Sequence, residues 1–284
     1  MILDLGVPYR DGVDPVQRLL GAASAGSLEN EDGDPVELDL RPGLDPAAIQ
    51  RLQAAYDPLG VPLPRELTRL LAVTTGTDAL LDLDLTGERH SVEAAELLPA
   101  GLPVAADGLG NFWLLDLTPD TVDVAPVFFL SHDPPVLLHQ ADSLADFVDD
   151  VLGTVEPPHS SRIDDVHEDR LHQVWRTRPG RLTWHEAMTS GDGALREFAE
   201  SLDPTWAVVD LRRREVGMGL AWGAHGPRTR LARHGWERIF GYAPPAPKRH
   251  WWQRAGFADP TMGQHRVRSR SRGRRTSPGG APPP

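Results

Sequence analysis

The triplet Ser131-His132-Asp133 sets the three residue types of a hydrolytic relay side by side. Nucleophile, base and orienting acid must hydrogen-bond in series, however, and neighbours on an extended chain point to opposite sides. The triplet is better read as a turn after a strand, with Asp133 accepting backbone hydrogens ahead of Pro134. His167-Glu168 and His172 offer metal ligands on a helical stretch, but the spacing is not the i, i+4 pair of a His-Glu-x-x-His site and no third ligand stands nearby. Gly217 and Gly219 with Gly223 have the look of a dinucleotide loop, yet they open no helix, and glycines inside a strand mark a bulge or a close backbone approach. Asp82 and Asp84 alternate with Leu81, Leu83 and Leu85, which predicts a strand with both carboxylates on its exposed face. Without a pocket to raise a pKa, that pair suits a partner surface rather than acid/base work. Arg266, Arg268, Arg270, Arg272, Arg274 and Arg275 are the candidate nucleic-acid contacts, each able to neutralise a phosphate. Lys248, Arg249 and His250 before Trp251-Trp252 have a membrane-interface composition, which packing of the tryptophans onto the preceding unit explains better. No catalytic set, metal site or cofactor is implied.

The elements that would position these residues can be read from periodicity. Asp45-Pro46 is an N-cap with proline at the first helical position, followed by Ile49, Leu52 and Tyr56 at helical spacing and a stop at Gly60. Pro64 opens a second helix with Leu67, Leu70 and Leu71 on one stripe, closed by Gly76. Residues 103–106 and 111–117 read as a hairpin about the turn Asp107-Gly108-Leu109-Gly110, whose glycines supply positive φ. Residues 126–131 and 136–139 add two strands. Ser143 and Asp146 form a capping signal for a helix with Leu144, Phe147, Val148, Val151 and Leu152 on one face. Residues 156–161 have linker composition. A helical pattern resumes at Ile163, Val166, Val174 and Trp175, another covers Leu195, Phe198, Ala199 and Leu202, and residues 206–211 with 216–222 read as a hairpin about a charged turn.

The expected class is therefore α+β: N-terminal helices, an antiparallel-type central sheet and a capped final helix, then a smaller α+β extension and a disordered Arg-rich tail. The division is 1–44 as a lead-in, 45–155 as the main domain, 162–258 as the extension and 259–284 as the basic tail. With 284 residues and 40% hydrophobic content the chain can fill a core, and the absence of cysteine removes disulfides, thiolate catalysis and Cys-based zinc sites. No run of 18 apolar residues exists, and residues 1–11 lack the basic start and apolar stretch of a signal peptide, so the expectation is a cytoplasmic protein without a membrane span. The net charge of -12 conceals an asymmetry: 28 acidic against 7 basic residues in 1–160, and 13 against 22 in 161–284. The first part would repel nucleic acid and favour a basic partner.

Three motifs in order resemble the SUKH superfamily, the Smi/Knr-type domain. The first is Asp45 to Gly76, with Leu63-Pro64-Arg65-Glu66-Leu67 leading to Leu70-Leu71 and a glycine after the helix. The second is Ala106-Asp107-Gly108-Leu109-Gly110-Asn111-Phe112-Trp113, similar to the family's glycine turn and aromatic strand. The third is Val127-Phe128-Phe129 with Ser131-His132-Asp133 and the serine-capped Asp142-Ser143-Leu144-Ala145-Asp146-Phe147. They span residues 45–153. Thr74-Thr75-Gly76 departs from the family's usual asparagine before glycine, and residues 86–98 are irregular. Trp222-Gly223, Arg233-His234-Gly235 and Ile239-Phe240 resemble an extension of some bacterial members. The resemblance implies a non-catalytic protein-binding role, either an immunity protein that neutralises a basic toxin domain or a Smi/Knr-type scaffold in cell-wall or stress physiology. A nucleic-acid role through the tail is a further alternative. Asp82, Asp84, Asp107, Trp113, His132 and Asp133 are the expected partner-binding residues.

Overall fold

A computed structural model of the chain describes residues 14–26, 28–87 and 96–246. The Arg-rich segment and Lys248 to Trp252 lie outside these residues. Two Asp-Pro pairs start helices by the same device: Asp14 caps α1 (Pro15–Ala25) through Val16 N–H, and Asp45 caps α2 (Pro46–Tyr56) through Ala48 N–H. Helix α1 falls in the stretch read from the sequence as an aperiodic lead-in. Its apolar residues Leu19 and Ala22 pack beneath α3 (Arg65–Leu71) and α4 (Leu144–Leu152).

A first sheet is antiparallel throughout, in the order β1 (Arg41–Pro42), β2 (Thr74–Thr77), β3 (Asp82–Asp84), β4 (Gly101–Ala106), β5 (Phe112–Asp116), β6 (Val127–His132), β7 (Pro135–Ala141) and, last, β10 (Gly219–Leu220). After α4, a π-helical stretch (Asp165–Arg170) runs into α5 (Leu171–Thr177) against β7. A second antiparallel sheet orders β11 (Arg230–Arg233), β12 (Ile239–Ala243), β9 (Ala207–Asp210) and β8 (Arg181–Thr183).

Strands β5 to β7 are buried on both faces, which is why their sequences read as apolar runs without clean alternation. Trp113, Leu115, Val127, Phe129, Val136 and Leu138 meet the helices α1, α3 and α4, whereas Leu114, Phe128, Leu130 and Leu137 meet Val209, Leu211, Phe240 and Tyr242 of the second sheet. The outer face of that second sheet is covered in turn by Ala187 of α6 (Trp184–Met188) and by Leu195, Phe198 and Ala199 of α7 (Gly193–Glu200). The result is four layers: helices, sheet, sheet, helices. Each large side chain sealed between them contributes roughly 1.5–3 kcal/mol relative to exposure.

The hairpin expected from residues 206–211 and 216–222 does not form. Strand β9 joins the second sheet between β12 and β8, while β10 crosses to pair Gly219 with Leu138 and Leu220 with Leu137 on the edge of the first. Glycine is obligatory there, because a Cβ on residue 219 would sit 1.9 Å from the Leu137 carbonyl oxygen.

Candidate functional site

In a meander of antiparallel strands alternate turns fall at the same end. The β2–β3, β4–β5 and β6–β7 turns thus share one end of the first sheet, and they carry most of the predicted contact residues. Asp82 begins β3 opposite Ala106, the last residue of β4 before Asp107. His132 ends β6, and Asp133 stands next to it in the exposed turn.

The β4–β5 turn is held from within. Asp107 Oδ1 accepts from Leu109 N–H at 2.7 Å and Asn111 N–H at 3.1 Å, and Asp107 Oδ2 accepts from Asn111 Nδ2 at 2.6 Å. His167 Nε2, delivered by the π-helical stretch, lies 3.3 Å from the same Oδ2. Burial pushes the Asp107 carboxyl up, but the hydrogen bonds from Asn111, Leu109 and His167 outweigh it and hold the group below the usual carboxylate range. Asn111 Oδ1 in turn accepts from His132 N–H at 3.1 Å and stands 3.0 Å from His132 Nδ1. The His132 ring covers Gly110, whose φ of 95° suits glycine and where a Cβ would meet the imidazole at 3.2 Å. Two hairpin turns are thereby locked into one body. Leu109 projects from it, 74% exposed.

Three of the expected contact residues are not presented, the first being Asp107, whose carboxylate is 7% exposed and spent on the donors of its own turn. Trp113 is 0% exposed: its ring lies 4.8 Å from that of Phe129 and its indole donates to Gln140 Oε1 at 3.3 Å, so it supports the turn from below. Asp84 is 2% exposed, its Oδ1 accepting from Thr86 N–H and Thr86 Oγ1, so the face of β3 expected to be wet is closed at its Asp84 end. Asp82 stays half-buried, 3.8 Å from the Arg41 guanidinium, which also pairs with the exposed Asp78. Arg266, Arg268, Arg270, Arg272, Arg274 and Arg275 lie outside the described residues.

The remaining chemical candidates are held apart or already engaged. Ser131 is buried, His132 is bonded to Asn111, and Asp133 is exposed, so the three form no hydrogen-bonded series. His167 is engaged with Asp107, and among the described residues no group of His, Asp and Glu could hold a metal ion. Gly217 backs onto the Arg170 side chain.

Three residues matter to this architecture through contacts that the sequence does not announce. Glu66 is buried under α4, where its carboxylate accepts from the N–H groups of Leu144, Ala145 and Ala125 at 2.9, 3.3 and 3.1 Å. Asp116, fully buried, takes a two-pronged bond from Arg233 at 2.7 and 2.9 Å, and Arg238 Nε lies 2.7 Å away. Trp222 donates to the Ser131 carbonyl at 3.2 Å and so braces the β6–β7 hairpin from the C-terminal region. An acid three residues into the Pro64 helix and an arginine among a dozen others carry no local sign of partners so distant in sequence.

Comparison with curated proteins and with solved structures gave no match. Residues 43–150 match the model of the SMI1 / KNR4 family (SUKH-1). That interval runs from the approach to α2 to within two residues of the end of α4, so it takes in the three turns, the Asp107–Asn111–His132 lock and the Glu66 cap. Residues 43–150 of this chain are a SUKH-superfamily domain.

Proposed function

We propose that the chain is a non-catalytic binding protein of the immunity type, which occupies and neutralises a basic toxin domain through the three-turn end of its first sheet. The observation that carries the reading is the placing of Asp82, His132 and Asp133 at one end of the sheet with the projecting Leu109, on turns that the buried Asp107 carboxylate braces. An apolar anchor inside a polar, negatively charged rim is the arrangement that concentrates binding energy at a protein interface. The SUKH assignment supports a protein-interaction role in general, and the excess of acid in residues 1–160 supports a basic partner in particular. No helix among the described residues is long and apolar enough to cross a membrane, and the proposal places the protein in the cytoplasm, where a toxin would meet it.

The test is co-expression of the chain with a toxin encoded beside it, followed by calorimetry of the purified pair. Protection with a one-to-one complex supports the proposal. Retention of several acidic-surface-binding partners without protection against any toxin would replace it with a Smi/Knr-type regulatory scaffold.

A further inference from the structure

At the opposite end of the first sheet, between the family segment and the second sheet, lies an open cavity of about 430 Å³. Its lining includes Thr118, Asp142, Arg212, Arg214, Trp236 and Arg238. The volume falls in the range of small-molecule sites. Its guanidinium groups are in unequal states. Arg212 is taken up by Asp192, Asp210 and Glu237. Arg238 shares the buried Asp116 with Arg233. Among the described residues Arg214 pairs with Asp142 at 3.1 Å, a carboxylate 60% exposed that also stands 3.3 Å from His139 Nε2; its guanidinium lies over the Phe128 ring at 6.0 Å, and its buried Nε–H has no hydrogen-bond partner. Burial first and then the like charge of Arg238 disfavour the Arg214 cation, and Asp142 and Asp116 offset them only in part. A buried donor without an acceptor costs about 1–3 kcal/mol, and two neighbouring guanidiniums are best relieved by an anion lying between them.

We propose that this cavity binds a small molecule with an oxyanion head, a phosphate or carboxylate gripped by Arg214 and Arg238, whose planar or apolar body rests against Trp236 and Val124. The rim carries as many carboxylates as arginines, through Asp120, Asp142 and Glu237, so recognition rests on donor geometry and not on net attraction. The fork of a guanidinium matches both head groups. Asp142 occupies Arg214 in the ligand's absence and swings out toward solvent when the head enters. Because the walls come from both the family segment and the region beyond it, the ligand would tighten their union by mass action.

The experiment titrates the full-length protein with phenyl phosphate and, separately, with benzoate, at constant ionic strength maintained with chloride. The readout is the Trp236 indole N–H resonance, assigned with Trp236→Phe. A saturable shift with either probe is expected, the tighter one identifying the head group. Arg214→Met should weaken binding at least tenfold, whereas Asp142→Asn should tighten it at least threefold by removing the internal competitor. Arg51→Gln, remote on α2, should change nothing. Absence of a saturable shift with both probes would overturn the proposal, as would equal loss in Arg51→Gln or an Asp142→Asn protein that binds no better than wild type. The last comparison decides the matter even if Arg214→Met fails to fold.

Discussion

Leu109 touches solvent over most of its surface while the residues on either side of it are fixed by Asp107, Asn111 and His132. A side chain so placed adds nothing to the core, so Leu109→Ala should leave the melting temperature unchanged. At a desolvated interface the same change should cost about 1–2 kcal/mol, close to tenfold in affinity for the partner. Calorimetry that found wild-type affinity would move the interface elsewhere. Two buried groups set a pH response of opposite signs. Burial pushes the Glu66 carboxyl from 4.5 to about 7 despite its three backbone donors, so the stability it contributes is full below pH 4.5 and lost as pH rises to 7. Burial beside Arg214 pulls the His139 imidazole from 6.5 to about 4, so its contribution is full above pH 6.5 and lost as pH falls to 4. Each is worth on the order of 3 kcal/mol across its window. Between pH 4.5 and 6.5 the two contributions oppose each other in the wild-type protein. Glu66→Gln should uncover stability that rises with pH there, and His139→Gln stability that falls, both read from urea titrations.

The elements that the sequence made legible are those signalled locally. The Asp45-Pro46 and Ser143 caps start α2 and α4, and the glycine turn after Asp107 joins β4 to β5, because cap and turn chemistry acts within four residues. Asp14-Pro15 carries the same cap signal for α1, but after Pro15 itself the buried stripe is Leu19 and Ala22, too short a pattern to recognise. The partners of β9 and β10 were illegible for a different reason. Adjacent short apolar runs suggest a hairpin, and nothing local says that Gly219 will instead reach across to β7. Asp84 and Trp113 are buried for different reasons: the local turn at Thr86 takes up the Asp84 carboxylate, and Trp113 faces the helix layer beside Phe129 and Phe147. Asp116 ties these layers together. Asp116→Asn would leave Arg233 and Arg238 buried with half their compensation, and the expected loss is about 3–5 kcal/mol, visible as a lower urea midpoint with the fold class unchanged by circular dichroism. A loss under about 1 kcal/mol would mean that the three groups are solvated in solution.

Across the whole molecule, charge is segregated: residues 1–160 hold 28 acids against 7 bases. A field of that kind acts at long range on encounter, while the close contacts around Leu109 govern escape. Raising salt from about 50 to 500 mM, which cuts the screening length severalfold, should slow association with a basic partner about tenfold or more and change dissociation little. Stopped-flow rates insensitive to salt would remove the electrostatic part of the proposal. The four-layer order has its own consequence for the family segment. Phe128, Leu130 and Leu137 are dry only because the second sheet lies on them, and the outer edge of β7 is occupied only because β10 is laid along it. Severed after residue 156, beyond α4 and Val155, the segment would emerge with one greasy wall and an open strand edge, the combination that seeds edge-to-edge aggregation. The C-terminal region thus acts as a cover for the family segment, and a protein truncated after residue 156 should be recovered from inclusion bodies where the full chain is not.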